Sequence, residues 1–226
     1  MIDVTKSQPA PACLQEEKRK TSGNYRCGDV VKRIKADFKN KCYICEYKRP
    51  PSINVEHFIP HKGNKDKKFD WNNLFYACAH CNNTKLDKFG NILDCTNPDH
   101  DVTNWIKYKM EFLPGREEEK VKISAQKKGK KVHNTVELLL KVYNGTTTPI
   151  KGIESHNIRL TLRDDLRHFQ KHLLAYYEED TEDNEKEIHL RIIKKHLGKS
   201  SAFTAFKRWI IKDNPRLRKD FEQYFD

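Results

Sequence analysis

Two Cys-x-x-Cys pairs, Cys42/Cys45 and Cys78/Cys81, constrain this chain more than any other feature. Two such hooks suit one tetrahedral zinc ion held by four thiolates. The alternative, four unrelated buried or redox thiols, leaves the matched spacing unaccounted for. The segment between the hooks is too short to bury a rigid core of its own, and a shared metal would pin its two ends together. The other cysteines, Cys13, Cys27 and Cys95, stand singly and read as small apolar filler. Met1–Lys6 carries no apolar stretch of secretory type, so a cytoplasmic location is expected. Reducing conditions there favour metal-bound thiolates over disulfides.

Charge points to a kind of partner. The 226 residues include 44 Lys and Arg against 32 Asp and Glu, a formal charge of +12. That excess suits a polyanion such as nucleic acid, whereas no apolar run is long enough to span a membrane. The excess lies mainly on the flanks. Residues 51–100, which hold most of the chemistry-bearing motifs, carry equal numbers of acidic and basic side chains.

The pattern of apolar residues predicts a mixed α+β chain. Residues 1–28 are polar and read as partly irregular. Val30, Val31, Ile34 and Phe38 recur at helical spacing and predict a helix over 29–38 that leads into the first hook. Ile106, Tyr108, Met110 and Phe112 alternate, as do Val121 and Ile123, with Pro114-Gly115 between them, which predicts a hairpin. Lys127–Lys131 reads as a basic turn. Further on, Asn134 or Thr135 is expected to cap a helix that stops near Gly145. Leu162, Leu166, Phe169, Leu173 and Tyr177 mark a longer amphipathic helix, and residues 178–187 an acidic connector. A helix over 188–197 ends at Gly198. A last one, capped by Ser200 or Ser201, carries Phe203, Phe206 and Ile210 and ends before Pro215.

Between the hooks stand Glu56-His57-Phe58-Ile59-Pro60, Asn72-Asn73-Leu74 and Asn82 directly after Cys81. Phosphodiester hydrolysis needs a deprotonated water, neutralisation of the phosphorane charge and a stabilised leaving oxygen. A neutral histidine suits the first requirement. A divalent metal on oxygen ligands, such as a carboxylate and an amide carbonyl, suits the others. Glu56 and His57 are adjacent, so on a strand they face opposite sides unless the strand ends there.

From Cys42 to Lys85 the order of these residues resembles the HNH endonucleases, many of which carry the same two hooks. The resemblance implies a zinc-braced ββα-metal (HNH) finger, with an N-terminal helix and a C-terminal helical region. It implies His57 as general base, Glu56 and Asn82 as ligands of a catalytic Mg²⁺ or Mn²⁺, and Asn73 as holder of the loop that orients His57. Lys85 would lie near phosphate, and Cys42, Cys45, Cys78 and Cys81 would hold structural Zn²⁺. Asn82 stands where other members have His, which favours a hard metal. Shorter pieces, including Asp70-Trp71-Asn72-Asn73-Leu74, Asn134-Thr-Val-Glu-Leu-Leu and Ala202-Phe203-Thr-Ala-Phe206, resemble the HNH subunit of Septu-type antiphage systems. That resemblance implies an ABC/SMC-like ATPase partner. This chain has no Walker-type phosphate loop, so ATP dependence would come from another subunit.

The expected division is an N-terminal segment and lead-in helix (1–41), a nuclease core (42–95), and a hairpin with a helical docking region (96–226). The expected activity is DNA hydrolysis. Cleavage of RNA, and a non-catalytic zinc-braced binding or scaffold module, are the alternatives. His61, Lys62, Lys65, Lys67 and Lys68 form a basic stretch after the catalytic residues, readable as phosphate contacts or as a solvated loop. His80 reads as a surface residue, and His100 lies near the site. Lys207 and Arg208 are expected to face a partner.

Overall fold

The computed structural model describes residues 1–111 and 119–226. The expected turn at Pro114-Gly115, together with Phe112, lies outside the described residues. Among those described, helix α1 spans Ala12–Arg19 and α2 spans Gly28–Asp37, with Val30 and Ile34 buried. Lys39 and Asn40 then adopt positive φ and turn the chain into the first hook. β1 (Ile53–His57) pairs antiparallel with β2 (Leu74–Cys78), in a register from Ile53↔Cys78 to His57↔Leu74. A short helix α3 (Lys65–Lys68) and a 3₁₀ turn at Trp71–Asn73 fill the connection. Helix α4 (Ala79–Lys85) follows β2 without a break, completing a ββα unit.

After a short helix α5 (Val102–Trp105), β3 (Ile106–Glu111) and β4 (Lys120–Ala125) form the expected antiparallel hairpin, separate from the first sheet. Ile106, Tyr108, Met110, Val121 and Ile123 turn inward, as the alternation requires. The rest is helical: α6 (Lys130–Asn144), α7 (Pro149–Tyr177), α8 (Asp183–Leu197), α9 (Thr204–Lys212) and α10 (Pro215–Phe221). The fold is therefore mixed α+β, with two small sheets among the described residues and a helical C-terminal region. No helix among the described residues is long and apolar enough to cross a membrane.

Two apolar clusters organise the helices. The larger joins the ββα unit, the hairpin, α6, the first half of α7 and Phe203/Phe206. The smaller is built from Phe169, Leu173, Ile193, Leu197, Ile211 and Phe221. The hook segment is tied to distant chain: Tyr143 Oη donates to Cys45 O, and Phe203 N and Ala205 N donate to Glu46.

Several local expectations need correction. Residues 1–28 are more ordered than their polarity suggests: they contain α1, and Met1 and Ile2 are buried. Helix α6 starts at Lys130 behind Gly129, whose φ of 146° suits glycine, so the last two residues of the expected basic turn, Lys130 and Lys131, are helix. Asn134 and Thr135 lie inside α6. Asn134 donates to Asn91 O, and Thr135 Oγ1 accepts from Leu93 N. α7 begins before the leucine stripe because Thr148 caps it and Pro149 fills its first turn. α8 starts within the acidic connector, at Asp183. The helix after Gly198 starts at Thr204, behind Phe203 in a left-handed conformation, and neither Ser200 nor Ser201 caps it. That helix does end before Pro215, at Lys212, and Pro215 then opens a further short helix, α10, capped by Asn214.

Candidate active site

The four hook cysteines converge as their spacing demands. The bridge between Lys41 and Lys48 closes the first hook, with Glu46 N donating to Cys42 O. In the second hook, Cys78 ends β2 and its sulfur accepts from Cys81 N at the head of α4. All four Sγ atoms are buried and lie within 4.8 Å of one another, with Cys45 and Cys78 3.9 Å apart. Tetrahedral Zn–S bonds of about 2.3 Å place sulfurs about 3.8 Å apart, so the donor set fits zinc. Burial pushes the Cys45 and Cys81 thiols well up, so four thiolates here call for a cation among them. A metal at this point would fix the end of β2 against the first hook and so set the start of α4.

Beside the ββα unit lies a cleft of about 340 Å³ lined by Glu56, His57, Pro60, His61, Lys62, Asn82, Leu86 and Asp87. Glu56, His57, His61, Lys62 and Asn82 thus line one cleft. His57 is the last residue of β1, the strand end that lets two adjacent side chains meet one cleft. Asn82 reaches it from the second turn of α4. Lys67 and Asn73 instead border an adjoining cleft of about 570 Å³, together with His100 and Lys131. Lys65 and Lys68 point back to the N-terminal segment, where they donate to Lys20 O and Gly23 O. Asp87 is the acidic lining residue that sequence reasoning missed. Nothing in its context, two residues past α4, marked it.

The tautomer of His57 follows from its contacts. Its Nε2 lies 2.9 Å from Lys68 O. A carbonyl only accepts, so Nε2 carries the proton and Nδ1 keeps its lone pair. Burial holds the imidazole below its usual pKa, which favours the neutral, basic form. The ring sits edge-on between Tyr25 and His61, at centroid distances of 4.5 and 4.6 Å.

Asn73 is 7% exposed and bridges two stretches of backbone. Its Oδ1 accepts from Ile59 N at 2.7 Å, and its Nδ2 donates to Ile59 O and Lys67 O at 2.9 and 3.0 Å. The carbonyl that holds His57 belongs to the next residue, Lys68. Asn73 therefore fixes both the chain leaving His57 and the chain supplying its acceptor.

Glu56 is buried and pairs with Lys85 at 2.6 Å through Oε1. Its Oε2, also buried, makes no hydrogen bond of normal geometry among the described residues. Burial pushes this carboxyl up to about 7, against the pull of the Lys85 ammonium. Glu56 and Asn82 line the same cleft, and a carboxylate with an amide carbonyl is a donor set suited to a hard divalent cation. Lys85 departs from expectation. It is fully buried, pairs with Glu56 and donates to Phe58 O, so it faces the carboxylate rather than a bound polyanion.

Three more readings are corrected. His80 is buried, not a surface residue: its ring bonds Glu154 and Val142 O, tying α4 to α6 and α7. Lys207 and Arg208 are buried and paired within the chain, with Asp165 and Asp226, so neither is presented to a partner. Cys13 and Cys27 are not filler but form a disulfide, whereas Cys95 is a buried free thiol.

A family model described as HNH endonuclease matches residues 42–88, the stretch that holds both hooks, Glu56, His57, Asn73, Asn82 and Lys85. No curated protein matches the chain.

Proposed function

We propose that the chain is a metal-dependent HNH endonuclease that hydrolyses phosphodiester bonds in DNA. The observation that carries the reading is the cleft that gathers Glu56, His57 and Asn82 inside the HNH-matching segment, with His57 Nδ1 left as the free base. Glu56 and Asn82 would hold Mg²⁺ or Mn²⁺, which when bound supplies charge neutralisation at the phosphate and at the leaving oxygen. His57 Nδ1 takes the proton of the attacking water, and Nε2–H remains on Lys68 O, so the ring does not rotate as its charge changes. In-line attack leaves a 5′-phosphate and a 3′-hydroxyl. Asn73 keeps the two backbone stretches around His57 in register. The Cys42/Cys45/Cys78/Cys81 site would carry structural Zn²⁺. His61 and Lys62, on the cleft, and the exposed Lys67 would meet the phosphates on either side.

The division at residues 41 and 95, the cytoplasmic setting and the Septu-type defence role belong to the same proposal. The helices after residue 130 would dock an ABC/SMC-like ATPase. Ile150, Ile153 and Leu174, all exposed on α7, are the apolar side chains offered for that contact. Ile150→Lys/Ile153→Lys is expected to abolish co-purification with the ATPase while leaving the melting temperature unchanged; retained binding would exclude this face. The nuclease assignment is tested with plasmid DNA and total tRNA, side by side, with Mg²⁺ or Mn²⁺ and with or without the ATPase. Cleavage of DNA supports the assignment, cleavage of tRNA alone moves it to RNA, and no cleavage of either by the complex refutes it.

A further inference from the structure

The segment that ends in the Cys13–Cys27 disulfide lies against the back of His57, and its contacts form one chain. The disulfide links α1 to the residue before α2 and closes a loop that contains Gly23 and Tyr25. Tyr25 sets its ring edge-on to the His57 ring at 4.5 Å. Gly23 O accepts from Lys68 Nζ, and Lys20 O accepts from Lys65 Nζ, each at 3.1 Å. Lys18 also pairs with Asp66 at 2.6 Å. Three side chains of α3 are thus fastened to residues 18–23, and the carbonyl at the end of α3 is the acceptor of His57 Nε2.

The loop itself is seated tightly. Glu17 accepts from Asn24 N at 2.7 Å, and a Cβ at Gly23 would lie 1.8 Å from Glu17 O. The loop therefore packs on α1 with no room for a side chain there. α1 has only eight residues and buries a single apolar one, Leu14. A helix that short holds its place by tertiary ties, and the disulfide is the strongest of them. Both cysteines are only half-buried, unlike the five free ones. The other cysteines differ: four converge in a metal-type cluster and Cys95 is buried. This pair is the one in the described chain set up for thiol–disulfide exchange.

We propose that Tyr25 is a positioning residue for His57, and that the Cys13–Cys27 pair is a redox latch which seats it. In the disulfide form the latch holds Tyr25 against one face of His57 and holds α3, through Lys65 and Lys68, so that Lys68 O meets Nε2. Reduction by a dithiol gives two cysteine thiols and one cyclic disulfide, with two electrons and two protons transferred. Glutathione disulfide reverses this, forming the protein disulfide and two molecules of glutathione. Reduction frees residues 14–26 and loosens both grips on the imidazole. The link to activity rests on the nuclease reading, whereas the latch itself does not.

The test uses the full zinc-loaded chain as the disulfide, as the dithiothreitol-reduced protein with zinc content checked, and as Cys13→Ser/Cys27→Ser. Two readouts need no cleavage: amide hydrogen exchange, and the rate at which diethyl pyrocarbonate modifies His57. In the reduced protein and the double variant, exchange over residues 20–27 and 64–69 is expected to rise about tenfold, with residues 74–81 unchanged. His57 modification should rise several-fold in parallel. Tyr25→Ala should raise His57 modification even with the disulfide closed, and Tyr25→Phe should restore the parent rate because the ring edge is kept. Equal exchange and equal modification in both redox forms would overturn the latch. So would failure of glutathione disulfide to join Cys13 to Cys27. If exchange and modification respond but neither form cleaves nucleic acid, the nuclease reading falls and the latch stands.

Discussion

Asn73→Ala removes three hydrogen bonds from a side chain that is 7% exposed. At a net worth of about 1 kcal/mol each they sum to about 3 kcal/mol, and water reaching the freed loop groups trims the loss to roughly 2–3 kcal/mol. With zinc retained, the urea midpoint should fall by about 1 M, taking a slope of about 2–3 kcal/mol/M. Asn73→Asp sharpens the argument. It keeps the acceptor for Ile59 N but turns both donations into contacts between carboxylate and carbonyl, so it recovers none of the loss. The activity effect should exceed the stability effect. Lys68 O, which fixes the His57 tautomer, directly follows the carbonyl that Asn73 holds. Both variants should therefore cleave DNA at least about tenfold more slowly at a temperature where both remain folded. If Asn73→Ala shifted stability by less than about 0.5 kcal/mol and cleaved at the parent rate, Asn73 would not hold this loop.

Lys85→Met strands the buried Glu56 carboxylate and should cost about 3 kcal/mol in urea unfolding, whereas Glu56→Gln/Lys85→Met should recover part of it; equal losses in both would show the pair is not coupled. Removing zinc with a strong chelator, or Cys81→Ala, should abolish cooperative melting of the 42–88 segment, monitored by near-UV circular dichroism; an unchanged spectrum would contradict the bracing role. His196 accepts from Lys207 and packs against His168, Asp165 and Phe169; burial and then the Lys207 charge hold it down to about 3. The unfolded chain takes up this proton from pH 6.5 downward and the folded chain only near 3, so stability is lost as pH falls through that window. After allowance for partial solvent screening, the loss between pH 7.5 and 5.5 should be about 1 kcal/mol, and His196→Gln should remove it from the urea profile.

The parts of the fold that the sequence discloses are those fixed by local periodicity or by metal spacing. The 3.6-residue recurrence of Val30, Ile34 and Phe38, the alternation of Ile106 to Met110, and the paired hooks each translate directly into geometry. What escaped is decided by groups distant in the chain. Lys85 looks like a basic residue near phosphate until α4 is laid under β1 and its ammonium meets Glu56. Ser200 and Ser201 look like caps, but α9 starts after Phe203, where Glu46, far away in sequence, accepts from Phe203 N and Ala205 N. Cys13 and Cys27 carry no spacing signature, since their pairing depends on how α1 folds back on α2. His80, Lys207 and Arg208 read as surface groups because their partners, Glu154, Asp165 and Asp226, belong to other elements.

The central claim is that Glu56, His57 and Asn82 form a metal-dependent phosphodiesterase site on a zinc-braced finger. Its most direct test is cleavage of supercoiled plasmid in Mg²⁺ or Mn²⁺ by the parent complex and by His57→Ala, with zinc content and melting temperature measured on the same samples. The account requires divalent-metal-dependent cleavage by the parent, loss of at least about a thousandfold in His57→Ala, and unchanged zinc and melting. Cleavage by His57→Ala at the parent rate would contradict it.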